Sequence, residues 1–186
     1  MKESFQHPTA LVSPDAIVGE NIRVWAFTNI QAGAVIGRDC NICDGCFVEN
    51  GAMIGNQVTI KNNVSVFEGV TLEDDVFCGA NVAFINDRYP RSTKKDWTLE
   101  KTHVKKGATI GSNATLLCGI TVGESAFIGA GSVVTKDVGD FCLVAGNPAE
   151  FKGYVCQCGK KLSEDLQCET CQKQFVLIDQ RLQLKV

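Results

Sequence analysis

The chain has 186 residues, 45% of them hydrophobic and 21% charged, with a formal net charge of −3. That length supports one sizeable core with a small appendage. The charge balance carries no basic stripe or aromatic–basic interleaving, which excludes the usual footprint of a nucleic-acid partner, and no apolar run is long enough to cross a membrane as a helix.

The first residues, MKESFQHPTALVSPDA, lack the uninterrupted apolar core of a signal peptide. The ten cysteines are therefore expected to be reduced thiols in the cytoplasm rather than a disulfide framework. Only two histidines, His7 and His103, are present, which limits both metal and acid–base chemistry.

From Val12 the chain repeats every six residues: Val12, Val18, Val24, Ile30, Ile36, Ile42, Val48, Ile54, Ile60, Val66, Leu72, Cys78 and Phe84 are all apolar. Two residues before each stands a companion that is mostly small or β-branched, from Ala10 and Ala16 through Cys40 and Cys46 to Val82. A period of six fits neither an α-helix nor an ordinary meander, and it is the signature of a hexapeptide β-helix. Each unit supplies one short strand and one turn, and three units close a triangular coil of 18 residues that stacks on the next. Series residues point inward and their companions fill the corners. Gly19, Gly37 and Gly55 recur at that 18-residue spacing, where the chain turns tightly.

The repeat stops after Phe84 and returns at Val104, then continues through Ile110, Leu116, Val122, Ile128 and Val134. Phe84 to Val104 is 20 residues; one unit accounts for six, so 14 are inserted. The inserted stretch, NDRYPRSTKKDWTLEK, is too charged to bury and must leave the prism as a loop, over residues 87–101. A loop of this length without its own structure is usually either functional or disordered. Asn86 stands at its root. Subtracting one coil gives Glu68, and another gives Asn50, so these three are expected in one column at one corner. Adding a coil and the insertion gives Cys118 as the next position up.

The stretches FVEN, VTIKNNVSVFEG, LEDDVFCGANVAFINDRYPRS, GATIGSNATLLCGITVGESAFIGAGSVVTKDV and VAGNPAEFKGY resemble the hexapeptide-repeat acyltransferases over about residues 7–150. Within that family they resemble the enzymes that acetylate a 3-amino group on nucleotide-linked sugars. The resemblance implies an all-β, left-handed parallel β-helix domain over 1–150. It also implies acetyl-CoA as co-substrate, a homotrimer with substrates between neighbouring prisms, and a place in O-antigen or surface-glycan synthesis. Two substrate classes fit. One is UDP-2-acetamido-3-amino-2,3-dideoxyglucuronate, toward which NNVSVFE and the cysteine-rich tail lean. The other is a dTDP-3-amino-3,6-dideoxyhexose, suggested by FVEN and NDRYPRS. FIND stands where the family often has FTND.

The resemblance makes Asn86 and Glu68 the residues around the sugar amine, with Asn50 beside them. Such a reaction needs the amine held against a thioester carbonyl, a stabilised oxyanion and the loss of one proton, and an amine needs no activated nucleophile. The resemblance further implies that the departing CoA thiolate takes the proton, with Glu68 and Asn86 orienting the amine. The inserted loop contains no histidine; His103, just after it, is either a base or an ordinary turn-flanking residue. The oxyanion donor is expected near Cys118–Gly119. For CoA, Gly129, Ala130 and Gly131 allow a close approach to the backbone, and Asn147, Pro148 and Lys152 carry the family's exit pattern. Lys136 and Lys152 either meet phosphates or are plain solvated lysines. Arg88 and Arg91 are candidate diphosphate contacts. Tyr89 either touches the base or anchors the loop.

After Gly153 the period is lost. The tail, residues 151–186, contains Cys156, Cys158, Cys168 and Cys171. C-x-C-G followed by C-x-x-C resembles a short zinc ribbon, in which four thiolates would hold a structural zinc. The first pair is one residue short of the usual spacing. The alternative is four reduced thiols in a β-hairpin, with KKL pairing against QFVLI. Two other readings of the whole chain are weaker. A carbonic-anhydrase site needs three metal-binding histidines, and a passive scaffold has no use for the loop, the corner column or the exit motif.

Overall fold

The computed structural model describes residues 3–93, 96–179 and 181–185. Among the described residues there is no helix; the chain is a parallel β-solenoid built mostly of two- and three-residue strands. Three faces result. Face one stacks eight parallel strands, from Phe5–Gln6 to Cys142–Ala145, and is completed by an antiparallel strand, Glu150–Tyr154. Face two stacks seven, from Leu11–Val12 to Val133–Val134, and face three stacks six, from Ile17–Val18 to Thr121–Val122.

The six-residue period produces this because each strand's second residue points inward. Val24, Ile30, Ile36, Ile42, Val48, Ile60, Val66, Leu72, Ile110, Leu116 and Ile128 are all buried in one continuous core. Their burial, at about 1.5–3 kcal/mol for a fully buried aliphatic side chain, is the main force holding the stack. The companions are buried, Ala16 only partly, and two of the polar ones are satisfied internally. Thr28 Oγ1 donates to the Cys43 carbonyl at 2.8 Å, and Ser132 Oγ accepts from the Gly146 N–H at 3.2 Å. The prism cysteines are packing residues too. Cys40 and Cys46 give their thiols to the carbonyls of Gly55 and Lys61, both at 3.1 Å. Burial pushes Cys46 up to about 11 and raises Cys78 further still, so both stay protonated.

The register carries the 14-residue insertion. Below it, strands pair i with i+18, as in Asn41↔Thr59 and Phe47↔Ser65. Across it the step is 32 on all three faces: Phe77↔Thr109, Ala83↔Thr115 and Thr71↔His103. Above it the step returns to 18, as in Thr115↔Val133. The insertion therefore leaves the solenoid without disturbing it.

The C-terminal end departs from the sequence expectation in two places. The prism sheet continues through Tyr154, four residues past the boundary expected at 150, because the strand Glu150–Tyr154 folds back on Cys142–Ala145. KKL does not pair with QFVLI. Lys161 bridges to Val155 and the Leu162 N–H donates to the Tyr154 carbonyl, while Phe175–Ile178 pairs with Arg181–Leu184. A hairpin between nearer neighbours closes a shorter loop at lower entropic cost.

Candidate active site

The corner between faces two and three carries the loop. Successive 18- and 32-residue steps place Asn50, Glu68, Asn86, Cys118 and Lys136 in one column there. The adjacent turn positions are Gly33, Gly51, Gly69, Asp87 and Gly119. At the other two corners the left-handed turn position is mostly Asn, Asp, Gln or Ser, but here it is glycine, with φ between +76° and +82° at Gly33, Gly51, Gly69 and Gly119. The reason is close approach, because a side chain of the column or of the loop lies against each of these four glycines. A Cβ on Gly33 would come within 2.1 Å of Asn50 Oδ1, and one on Gly51 within 3.3 Å of Glu68 Cγ. The bare corner is a groove in which Asn50 and Glu68 lie.

The loop returns along the same groove. Leu99 covers Gly69, with Cδ1 2.9 Å from where a Cβ would stand, and Glu100 covers Gly119, with Oε2 at 2.6 Å. Arg88 fastens this return. Its Nε donates to Glu100 Oε1 and Oε2 at 3.0 and 3.1 Å, and its Nη2 donates to Glu100 Oε2 at 2.8 Å and to the Cys118 carbonyl at 2.6 Å. The hydrogen bonds with Arg88 hold the Glu100 carboxyl below its ordinary range. Arg88 is thus engaged at the neck of the loop, where the sequence pointed to it as a diphosphate contact. Arg91 and Tyr89 lie further out and are exposed; the Tyr89 N–H donates to Asp87 Oδ1 at 2.9 Å, which starts the loop with a tight turn.

Cys118 is fully buried and its thiol is raised, chiefly by burial and then by the Glu100 charge. It contributes its carbonyl to the loop clamp, not a nucleophile. Next to the column are Glu49, whose Oε2 accepts the Glu68 N–H at 2.8 Å, and Gln31, whose Oε1 accepts the Asn50 N–H at 3.3 Å. The sequence reading passed over Glu49, Glu100 and Gln31. The first and third stand 18 residues apart, one place before the column, and the same coil arithmetic finds them.

The acyl-donor candidates gather at the upper rim of face two. Ala130 and Gly131 stand on its other corner, and Lys136 on the corner of the column. The turn 146–149 crosses between them. Val133 exchanges hydrogen bonds with it, donating to the Gly146 carbonyl at 2.9 Å and accepting from the Ala149 N–H at 2.8 Å. Asn147 and Pro148 are exposed on this turn. Lys136 Nζ pairs with Glu150 Oε2 at 3.5 Å, an exposed contact that leaves the ammonium accessible. Gly129 is packed against Ala145, and Lys152 lies exposed on the last strand of face one.

His103 sits on face three, where its Nε2 lies against Glu73 Oε1, and the other Glu73 oxygen accepts the Lys106 N–H at 2.9 Å. Glu73 follows the strand Val70–Leu72 on the side away from Gly69. The imidazole is therefore directed toward the corner opposite the column.

In the tail, the four sulfur atoms of Cys156, Cys158, Cys168 and Cys171 lie within 4.8 Å of one another. Burial raises Cys156, whereas backbone N–H groups, first that of Cys171, lower Cys168.

Known proteins match this description. Residues 101–136 match the model "Bacterial transferase hexapeptide (six repeats)". Over 158 residues the chain is 52% identical to a dTDP-3-amino-3,6-dideoxy-alpha-D-galactopyranose 3-N-acetyltransferase from Aneurinibacillus thermoaerophilus, covering 85% of this chain and 82% of that one. Among solved structures, a mutant perosamine N-acetyltransferase from Caulobacter crescentus, in complex with CoA and GDP-perosamine, superposes with a TM-score of 0.55 at 26% identity. It matches 81% of this chain and 57% of its own length. The acetyltransferase domain of PglB from Neisseria gonorrhoeae, in complex with acetyl coenzyme A, shares the fold at 24% identity and a TM-score of 0.54, over 81% of this chain and 58% of its own. With the six-residue repeat, the 32-residue register step and a relative matched over most of both lengths, the chain belongs to the hexapeptide-repeat acyltransferases and is an N-acetyltransferase.

Proposed function

We propose that the chain transfers the acetyl group of acetyl-CoA to the 3-amino group of a dTDP-3-amino-3,6-dideoxyhexose, supplying a precursor for a surface glycan such as O-antigen. The observation that carries this reading is the grooved corner. It brings Asn50, Glu68 and Asn86 into one column beneath a loop clamped by Arg88 and Glu100, and it ends at Lys136 beside the rim of face two. Two short motifs lean toward UDP-2-acetamido-3-amino-2,3-dideoxyglucuronate. The 52% identity to a dTDP-3-amino-sugar enzyme outweighs them, because it extends over 158 residues that include the column and the loop.

In this reading Glu68 and Asn86 accept hydrogen bonds from the substrate amine and aim its lone pair at the thioester carbonyl. Holding both reactants in register supplies much of the rate enhancement for such a transfer. The new C–N bond forms as the C–S bond breaks, and the amine proton leaves with the CoA thiolate. The pantetheine arm lies along the rim past Ala130 and Gly131, with Asn147 and Pro148 on the crossing turn. Lys136 and Lys152 meet its phosphates. Arg91 and Tyr89 face the nucleotide, while Arg88 keeps the loop in place. Three copies of the chain assemble so that a neighbouring prism supplies the opposite wall. Exposed Ile17 and Met53 and a groove of about 350 Å³ on face three are the surface suited to that contact.

The test is acetyl-CoA turnover, followed as free-thiol release, with the dTDP-3-amino sugar and the UDP-3-amino-glucuronate offered separately. Rapid release with the dTDP sugar alone supports the proposal. Release with the UDP sugar alone reverses the substrate assignment, and release with neither refutes it.

A further inference from the structure

We infer that the C-terminal tail is a zinc knot: Cys156, Cys158, Cys168 and Cys171 hold one structural Zn²⁺ that fastens the tail onto the last coil of the solenoid. Zinc bound by four thiolates at about 2.3 Å in a tetrahedron requires sulfur–sulfur separations of roughly 3.8 Å. The four sulfurs here all lie within 4.8 Å of one another, with Cys156–Cys171 at 3.4 Å and Cys158–Cys168 at 3.5 Å. Two of the sulfur pairs are within a few tenths of an ångström of that separation, and every pair is within about 1 Å of it.

The backbone supports the same reading. The two halves of the site are the same kind of turn. In the first, the Cys156 N–H donates to the Lys160 carbonyl and the Gly159 N–H donates to the Cys156 carbonyl, both at 2.8 Å. In the second, the Cys168 N–H donates to the Lys173 carbonyl at 2.9 Å and the Gln172 N–H donates to the Cys168 carbonyl at 2.8 Å. In each turn the residue after the second cysteine takes a positive φ, +83° at Gly159 and +59° at Gln172. The first turn is one residue shorter than the second, as C-x-C is one shorter than C-x-x-C. The short spacing is therefore absorbed by the turn, and the sulfurs still converge.

Among the described residues the tail has little apolar core of its own. Its own core is Cys156, Leu162, Cys168, Phe175 and Leu182, two of the five being ligands. Such a small unit ordinarily needs a metal or disulfides. All four coordination positions are filled by protein thiolates, so the ion is structural and has no open site for catalysis. The knot is tied to the prism through Phe141, whose ring centroid is 5.9 Å from that of Phe175 and whose carbonyl accepts the Val155 N–H at 2.8 Å.

The inference is tested on the full-length protein purified under reducing conditions without chelator or metal-affinity resin. About one zinc per chain by plasma mass spectrometry is expected, with one equivalent released to a chromogenic chelator when the tail thiols are modified. Replacement by Co²⁺ should give the visible absorption of tetrahedral cobalt thiolate, and Cys171→Ser should weaken or abolish it. Because Cys171 is exposed and outside the prism core, this variant keeps the solenoid. Zinc-free protein with four freely reactive tail thiols would overturn the inference, as would zinc-free protein with Cys156–Cys171 and Cys158–Cys168 disulfides. The metal count does not depend on which sugar is acetylated.

Discussion

Gly119→Ala tests whether the loop is held by the corner it returns along. Gly119 has φ +78°, and a Cβ there would stand 2.6 Å from Glu100 Oε2 and 3.3 Å from Arg88 Nη2. Gly131 is the matched control: its φ is +69°, and a Cβ there meets nothing within 4 Å. Alanine in the left-handed region costs about 1–2 kcal/mol at either position. At about 2–4 °C per kcal/mol for a chain of this size, each variant should melt roughly 2–8 °C lower. Only Gly119→Ala must also expel the Glu100 carboxylate, and with it the Arg88 clamp on the Cys118 carbonyl. The assay is limited trypsin digestion under native conditions, read at Arg88 and Arg91. Cleavage there should rise severalfold in Gly119→Ala and stay at the wild-type rate in Gly131→Ala. Glu100→Gln, which keeps the shape but weakens the charge-assisted bonds, should fall between them. If the two glycine variants show the same cleavage rate, the loop is not held by this corner.

Other outcomes follow from the same geometry. Glu68→Gln should lower kcat/KM roughly 10–100-fold, the worth of a charge-assisted hydrogen bond in the transition state, with Tm unchanged because the side chain is exposed. His103→Gln should cost less, since its ring is directed to Glu73; a larger loss in His103→Gln would assign it the proton. Phe84→Ala empties a fully buried site beneath the root of the loop and should cost about 3–5 kcal/mol, a Tm fall of roughly 6–20 °C by calorimetry. On the acid side, Glu100 and Asp74 both have folded-state values below their ordinary 4.5 and 3.8, through Arg88 and through the Asn56 N–H and amide respectively. Their contribution is present above those values and lost as pH falls below them. The acid limb of Tm against pH should therefore flatten in Glu100→Gln, and an unchanged limb would remove Glu100 as a cause.

The column was legible because strand pairing enforces it. Once each residue pairs with the one 18 further on, Asn50, Glu68 and Asn86 must stack, and 14 inserted residues must appear as a 32-residue step. The cysteine tail was legible as a group of four thiols that come together, but not in its strand pairing. KKL and QFVLI both have strand character, and nothing in their composition says that each finds a different partner. Arg88 was legible as a cation in a loop and not as the neck of that loop. Its partners are Glu100, inside the same insertion, and Cys118, beyond it, and the six-residue frame does not run through the insertion. Glu49 and Gln31 could have been found by the arithmetic that found Glu68.

The sequence by itself determined the solenoid, its three faces, the exit point of the loop and the residues of the column, because a repeat transmits its period through backbone hydrogen bonds that do not depend on side-chain detail. Only the tertiary structure decided what occupies the groove. Leu99 and Glu100 folding back over the glycine corner, and His103 turning to Glu73, are side-chain contacts that the period does not specify. Such contacts depend on side-chain shape and charge meeting in space, which spacing along the chain does not encode.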